Sequence, residues 1–155
     1  MGCRHVNLRA LLAVVLLGCQ LGRPPASGRY TVGAVRAAAP EPGLPDALAS
    51  GLAAGLSRHG ALGSGPEVQL TVLTAVESVR AAGATRVHAV ELRLEAVVAG
   101  PRPRRLVWSG TRDYGAGGID PIADAEARAR AWRRLSARAG DEIAAWVLYA
   151  STEPG

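Results

Sequence analysis

Val90-Glu91-Leu92-Arg93-Leu94-Glu95-Ala96-Val97-Val98 is the stretch that decides the fold. Val90, Leu92, Leu94, Ala96 and Val98 fall on one side of a period-two chain, and Glu91, Arg93 and Glu95 fall on the other. A strand written this way belongs to a sheet that is buried on one face and wet on the other, which favours antiparallel pairing. The residues before it repeat the pattern, with Val68, Leu70, Val72, Thr74 and Val76 on one side and a loop around Ala81 to Ala84 turning the first strand into the second. After it, Gly100-Pro101-Arg102-Pro103 marks another turn. Leu106 and Trp108 then begin a last strand that ends near Arg112.

Further out, the period changes from two to nearly four. Leu44, Leu48, Leu52 and Leu56 form one apolar stripe, Pro45 suits a first helical turn, and Asp46 complements the helix dipole. Gly60, after His59, is a C-terminal stop. A strand near Arg29 to Arg36 precedes this helix, with Tyr30, Val32 and Ala34 alternating against Arg29, Thr31 and Gly33. At the other end, Asp120 before Pro121 reads as an N-cap and first position. Ala125, Ala129, Trp132, Leu135, Ala139, Ile143 and Trp146 then step by three or four along a long helix, which Gly140 is expected to kink or break. Two amphipathic helices and a one-sided sheet bury their apolar faces only against each other. The expected fold class is α+β: a two-layer sandwich in the order βαβββα, with two helices on one face of a mostly antiparallel four-stranded sheet. The length fits a single domain over 28–150, and 151–155 should fray.

Residues before this domain carry a different signal. Arg4, His5 and Arg9 form a basic start, Ala10 to Leu17 an apolar core, and Gly18 a small residue at the cleavage position. The core is shorter than the roughly 20 apolar residues a spanning helix needs. Leu16-Leu17-Gly18-Cys19 resembles the bacterial lipobox, in which the cysteine becomes the first mature residue and carries lipid. On that reading 1–18 is a signal peptide and 19–27, with Gly22, Pro24, Pro25 and Ser27, is a lipidated tether. An ordinary secretory signal with a chance cysteine and a retained anchor are the alternatives. Met1-Gly2-Cys3 hints at myristoylation, but Val6 stands where that motif wants Ser or Thr. Cys3 would leave with the signal, so no free thiol would remain for a disulfide, a metal or a nucleophile.

Every positively charged residue is arginine, with no lysine, and the chain has no phenylalanine. Its formal charge is +5; losing Arg4 and Arg9 leaves 16 arginines against 13 acidic residues, a surplus of three. That is mild for nucleic acid, and export weighs further against it. No catalytic constellation is apparent. His59 and His88 lie far apart on different elements, which is not ligand spacing; His59 reads as solvating a helix end and His88 as an ordinary edge residue. Ser57, Ser109 and Ser136 lie outside any nucleophile-elbow pattern. Glu91 and Glu95 with Arg93 between them read as a solvated ladder, and Asp141-Glu142 adds no partner. Gly115, Gly117 and Gly118 lack the phosphate-loop ending. Gly51 and Gly55 read as a site of close packing on the neighbouring helix. No metal or cofactor is expected, and the chain is expected not to be an enzyme. Arg102, Arg104 and Arg105 cluster at a hairpin tip, where their forks would suit an anion.

The lipobox at Cys19, the strand at Arg29 to Arg36, Gly-Leu-Pro-Asp-Ala-Leu at 43–48, Val-Glu-Leu-Arg-Leu at 90–94, Leu-Val-Trp-Ser-Gly at 106–110 and the long last helix together resemble LptE, the lipopolysaccharide-assembly lipoprotein family. The resemblance implies an outer-membrane lipoprotein, acylated at Cys19 and facing the periplasm. It also implies that such a protein plugs the β-barrel LptD and assists lipopolysaccharide transport and assembly. Glycolipid contact is then expected at Arg102, Arg104 and Arg105. A lipoprotein adaptor of an envelope transporter or cell-wall synthase is the alternative function.

Overall fold

The computed structural model describes residues 28–37, 41–82, 85–116 and 120–149. The expected signal, Cys19, the tether at 19–27 and the tail at 151–155 lie outside the described residues. The elements run β1 (Tyr30–Ala37), α1 (Leu44–Arg58), β2 (Leu62–Ala82), β3 (Thr85–Val98), β4 (Arg104–Tyr114) and α2 (Pro121–Tyr149). This is the expected order and the α+β class. The sheet is mixed: its strands lie in sequence order, β2–β3 and β3–β4 antiparallel, β1–β2 parallel. The cause is connectivity, because β1 reaches β2 through a helix, and a crossover of that length allows the two strands to run the same way.

Each helix is made where its signals place it. Leu44, Leu48, Leu52 and Leu56 are all buried, and a fully buried leucine contributes about 1.5–3 kcal/mol. Gly60 takes a left-handed φ of 66° and closes α1: its N–H donates to the Ser57 carbonyl, and the Ala61 N–H donates to Leu56. These paired bonds satisfy carbonyls that the helix end would leave bare. At the start of α2, one Asp120 carboxylate oxygen accepts from the Ile122 and Ala123 N–H groups, at 2.9 and 3.3 Å. Among the described residues no helix is long and apolar enough to cross a membrane.

The two helices meet through glycine. A Cβ on Gly51 would stand 2.6 Å from the Ser136 carbonyl oxygen, one on Gly55 2.7 Å from that of Gly140, and one on Gly140 2.5 Å from the Leu52 nitrogen. These neighbours are backbone atoms, which cannot rotate away. The close-packing expectation for Gly51 and Gly55 therefore holds. Gly140 does not break α2, which runs unbroken to Tyr149; its missing side chain is used to admit α1. The contacts advance together along both helices, from Gly51 with Ser136 to Arg58 with Asp141, so the helices run in the same direction.

Three side-chain assignments change. In β2 the pairing with β3 shifts between Val72, opposite Leu94, and Thr74, opposite Arg93, which makes Leu73 the extra residue of a bulge. Val68, Leu70 and Val72 face the helices as expected, but Thr74 and Val76 turn to the outer face, and Ala75 and Glu77 replace them opposite Leu92 and Val90. In β1 a register shift between Val32 and Val35 leaves Ala34 exposed, and Val35 packs on the core in its place. On α2, Trp132, Leu135, Ala139 and Ile143 are buried, whereas Ala125, in the first turns of the helix, is exposed.

Gly140→Ala should cost about 1–3 kcal/mol through overpacking, although alanine alone would favour a helix interior by about 0.5–1 kcal/mol. Gly100→Ala meets no atom within 4 Å and should change stability by less than about 0.5 kcal/mol. Urea midpoints of the two variants decide it; equal midpoints would refute the tight crossing.

Candidate partner-docking surface

Both helices lie on one face of the sheet, so among the described residues no element covers the other face. Its rows follow from the register. Thr74, Arg93 and Ser109 stand side by side across β2, β3 and β4; Thr71, Glu95 and Val107 form the row on one side, and Val76, Glu91 and Thr111 the row on the other. Glu91 accepts from Arg80 at 2.6 Å and from the Ser78 hydroxyl at 3.2 Å, and Glu95 accepts from Arg105 at 2.9 Å. The surface is thus a charge ladder with hydroxyls between its rungs, as expected for Glu91, Arg93 and Glu95. Leu73, Val76 and Val107 add apolar area to it, each more than 40% exposed.

The arginines expected to act together are separated. Arg102 lies exposed in the turn, but β4 begins at Arg104, two residues before the expected start. Alternation then sends Arg104 and Arg105 to opposite faces. Arg104 turns inward, donates to the Val147 carbonyl at 3.2 Å and lies over the Trp146 ring at 5.6 Å. The last turn of α2 carries no basic residue, so Arg104 supplies from β4 the positive charge that a helix C-terminus favours. Arg105 turns outward onto Glu95. No common fork of Arg102, Arg104 and Arg105 forms at the tip.

A second polar group has no counterpart in the sequence reading. Glu77, turned inward by the bulge, accepts from the Tyr114 hydroxyl and, at 2.7 Å, from Arg128 Nε on α2; Arg128 also donates to Glu41, just before α1, at 2.6 Å. His88 Nδ1 stands 3.4 Å from Glu77, and its ring tilts against Tyr114 at 5.4 Å. His88 is therefore half-buried between β2 and β4, and is not an edge residue. Burial raises the Glu77 pKa, but the bonds from Tyr114 and Arg128 outweigh it and hold the carboxyl below its ordinary value. Burial and the Glu77 carboxylate push the Tyr114 phenol well above its ordinary range. Arg128 thereby ties the loop before α1 to β2 and α2.

The remaining candidates are occupied by structure. His59 caps α1, and Asp141 pairs with Arg58. Glu142 accepts from Arg138 and, at 2.6 Å, from Trp108 Nε1, which fastens α2 to β4; the Arg138 bond leads in lowering its pKa, with Trp108 second. Gly117 and Gly118 lie outside the described residues. Among the described residues no group of histidine, cysteine and acidic side chains is gathered as a metal site. A cleft of 570 Å³ opens between the first turns of the helices, lined mainly by small residues such as Ala47, Ala54, Ala125 and Ala129.

No protein-family model and no curated protein matches the sequence. Solved structures do share the fold. A minor lipoprotein from Acinetobacter baumannii is similar at 14% identity over 81% of this chain and 97% of its own, with a TM-score of 0.54. A Xanthomonas campestris protein of the DUF330 family is similar at 16% identity over 84% of this chain and 90% of its own, with a TM-score of 0.60. A candidate lipoprotein from Caulobacter crescentus is similar at 16% identity over 77% and 92%, with a TM-score of 0.51. The architecture is thus one that solved bacterial lipoproteins adopt.

Because the folded Glu77 pKa is lowered, its stabilisation is complete above the ordinary carboxylate pKa of about 4.3 and is lost as pH falls through the folded value. Glu77→Gln should cost about 1–3 kcal/mol at pH 7 and progressively less below pH ~4. Denaturant midpoints from pH 7 to 3 test this; a gap that widens in acid would refute the sign.

Proposed function

We propose that the chain is a lipid-anchored, non-catalytic docking subunit of the LptE kind. Tethered at the periplasmic side of the outer membrane through acyl chains on Cys19, it partners and plugs an LptD-like β-barrel and assists lipopolysaccharide transport and assembly at the cell surface. The uncovered sheet face carries this reading. Rungs from Arg80 to Glu91 and from Glu95 to Arg105, with Thr71, Thr74, Ser109 and Thr111 between them, suit the polar lumen of a transmembrane barrel. A sheet face whose rungs are mostly polar and paired enters such a lumen at small desolvation cost, with Leu73, Val76 and Val107 as the apolar patches upon it.

The anchor supports the same reading. A lipobox-type cysteine delivers the domain to a membrane, and more than one acyl chain gives stable attachment where one does not. The fold shared with the Acinetobacter baumannii minor lipoprotein is compatible with that tether. Glycolipid contact, if direct, falls to Arg102 and the outward Arg105, since Arg104 is engaged with α2.

Pull-down of the acylated protein from outer membranes should recover an LptD-like barrel identified by mass, and Cys19→Ala should lower that recovery at least about tenfold by removing the anchor. Recovery of a transporter or a cell-wall synthase in place of a barrel would assign the adaptor function and refute the barrel reading.

A further inference from the structure

Along α2, charged residues recur every four positions: Glu126, Arg130, Arg134, Arg138 and Glu142. The two ends are neutralised, Arg130 by Glu126 at 3.2 Å and Arg138 by Glu142 at 2.7 Å. Arg134, in the middle, has like charges one turn away on both sides, an arrangement that destabilises a helix. Among the described residues it has no acidic partner.

Across from it stands Arg112 of β4, opposite Val90 in the register and likewise without an acidic partner among the described residues. Arg112, Arg130 and Arg134 surround one depression of 280 Å³. Its floor is Ala127 and Ala131, whose small side chains at a four-residue spacing leave the space open between helix and strand. Tyr114 and Asp113 complete the wall. Asp113 and Glu126 offset two of the three positive charges, so one remains, shared between Arg112 and Arg134.

The geometry points to an oxyanion seat between Arg112 and Arg134 that takes a phosphate or a phosphodiester headgroup. Guanidinium forks from two elements meet a tetrahedral oxyanion with paired, charge-assisted bonds, and the bound anion removes the repulsion within the arginine row. Arg130 contributes from the rim while it stays bonded to Glu126. The seat lies on the helix side of β4, away from the sheet face of the docking reading, and does not depend on that reading.

The test uses the full chain in neutral detergent and follows the arginine Nε–H resonances. Inorganic phosphate should shift those of Arg112 and Arg134 saturably, and the paired change Arg112→Gln with Arg134→Gln should weaken binding at least about tenfold. Arg138→Gln, outside the depression, should bind as the wild type does. Dihexanoyl phosphatidylglycerol that competes with phosphate assigns a membrane headgroup; phosphate binding without that competition assigns a free oxyanion. The proposal is overturned if no saturable shift occurs, if the paired variant binds phosphate unchanged, or if Arg138→Gln weakens binding equally.

Discussion

The structure depends on how closely two helices approach. Four strands span only about 14 Å between the outer pair, and ordinary helix pairs sit about 8–10 Å apart. Backbone contact through Gly51, Gly55 and Gly140 sets α1 and α2 tightly enough to share one face of so narrow a sheet. Leucines from α1 and the Trp132, Leu135 and Ile143 side of α2 then fill a single core. Among the described residues no further element covers the second face, so the crossing that closes the core also leaves the charge ladder open.

How much of this was legible in the sequence depended on whether the information was local. Alternation at Val90 to Val98, the leucine stripe and the Asp120-Pro121 cap each describe one element, and each was read correctly. The bulge at Leu73 was not legible, because Val-Leu-Thr-Ala-Val-Glu-Ser-Val around it alternates acceptably in either phase. Only the pairing with β3 selects one. The division of Arg102, Arg104 and Arg105 escaped notice for a related reason: the two prolines suggest a long turn, while strand pairing begins at Arg104 and separates the three. The Glu77 group was invisible because Glu41, Glu77, His88, Tyr114 and Arg128 have no spacing that links them.

The two layers differ in what they offer. The sheet face is a regular lattice whose rows are set by the register, and its charges are mostly neutralised in place. The helix layer is irregular, with an alanine-lined cleft on one side and an arginine-rimmed depression on the other. A broad, balanced surface suits a large partner held over many weak contacts, whereas a small depression with surplus charge suits a small anion.

The ambiguity around Leu73 has a consequence for how the chain folds. Beyond Val72, a pairing of β2 with β3 that lacked the bulge would keep an acceptable alternation, so the local sequence there does not choose between the two registers. The observed one sets Glu77 against Arg128. Arg128 lies in the last helix, 51 residues further along. The register of the central hairpin is thereby tied to the C-terminal helix, so a local choice of phase is reinforced by a contact between residues far apart in the sequence, of the kind that slows folding where it is frequent.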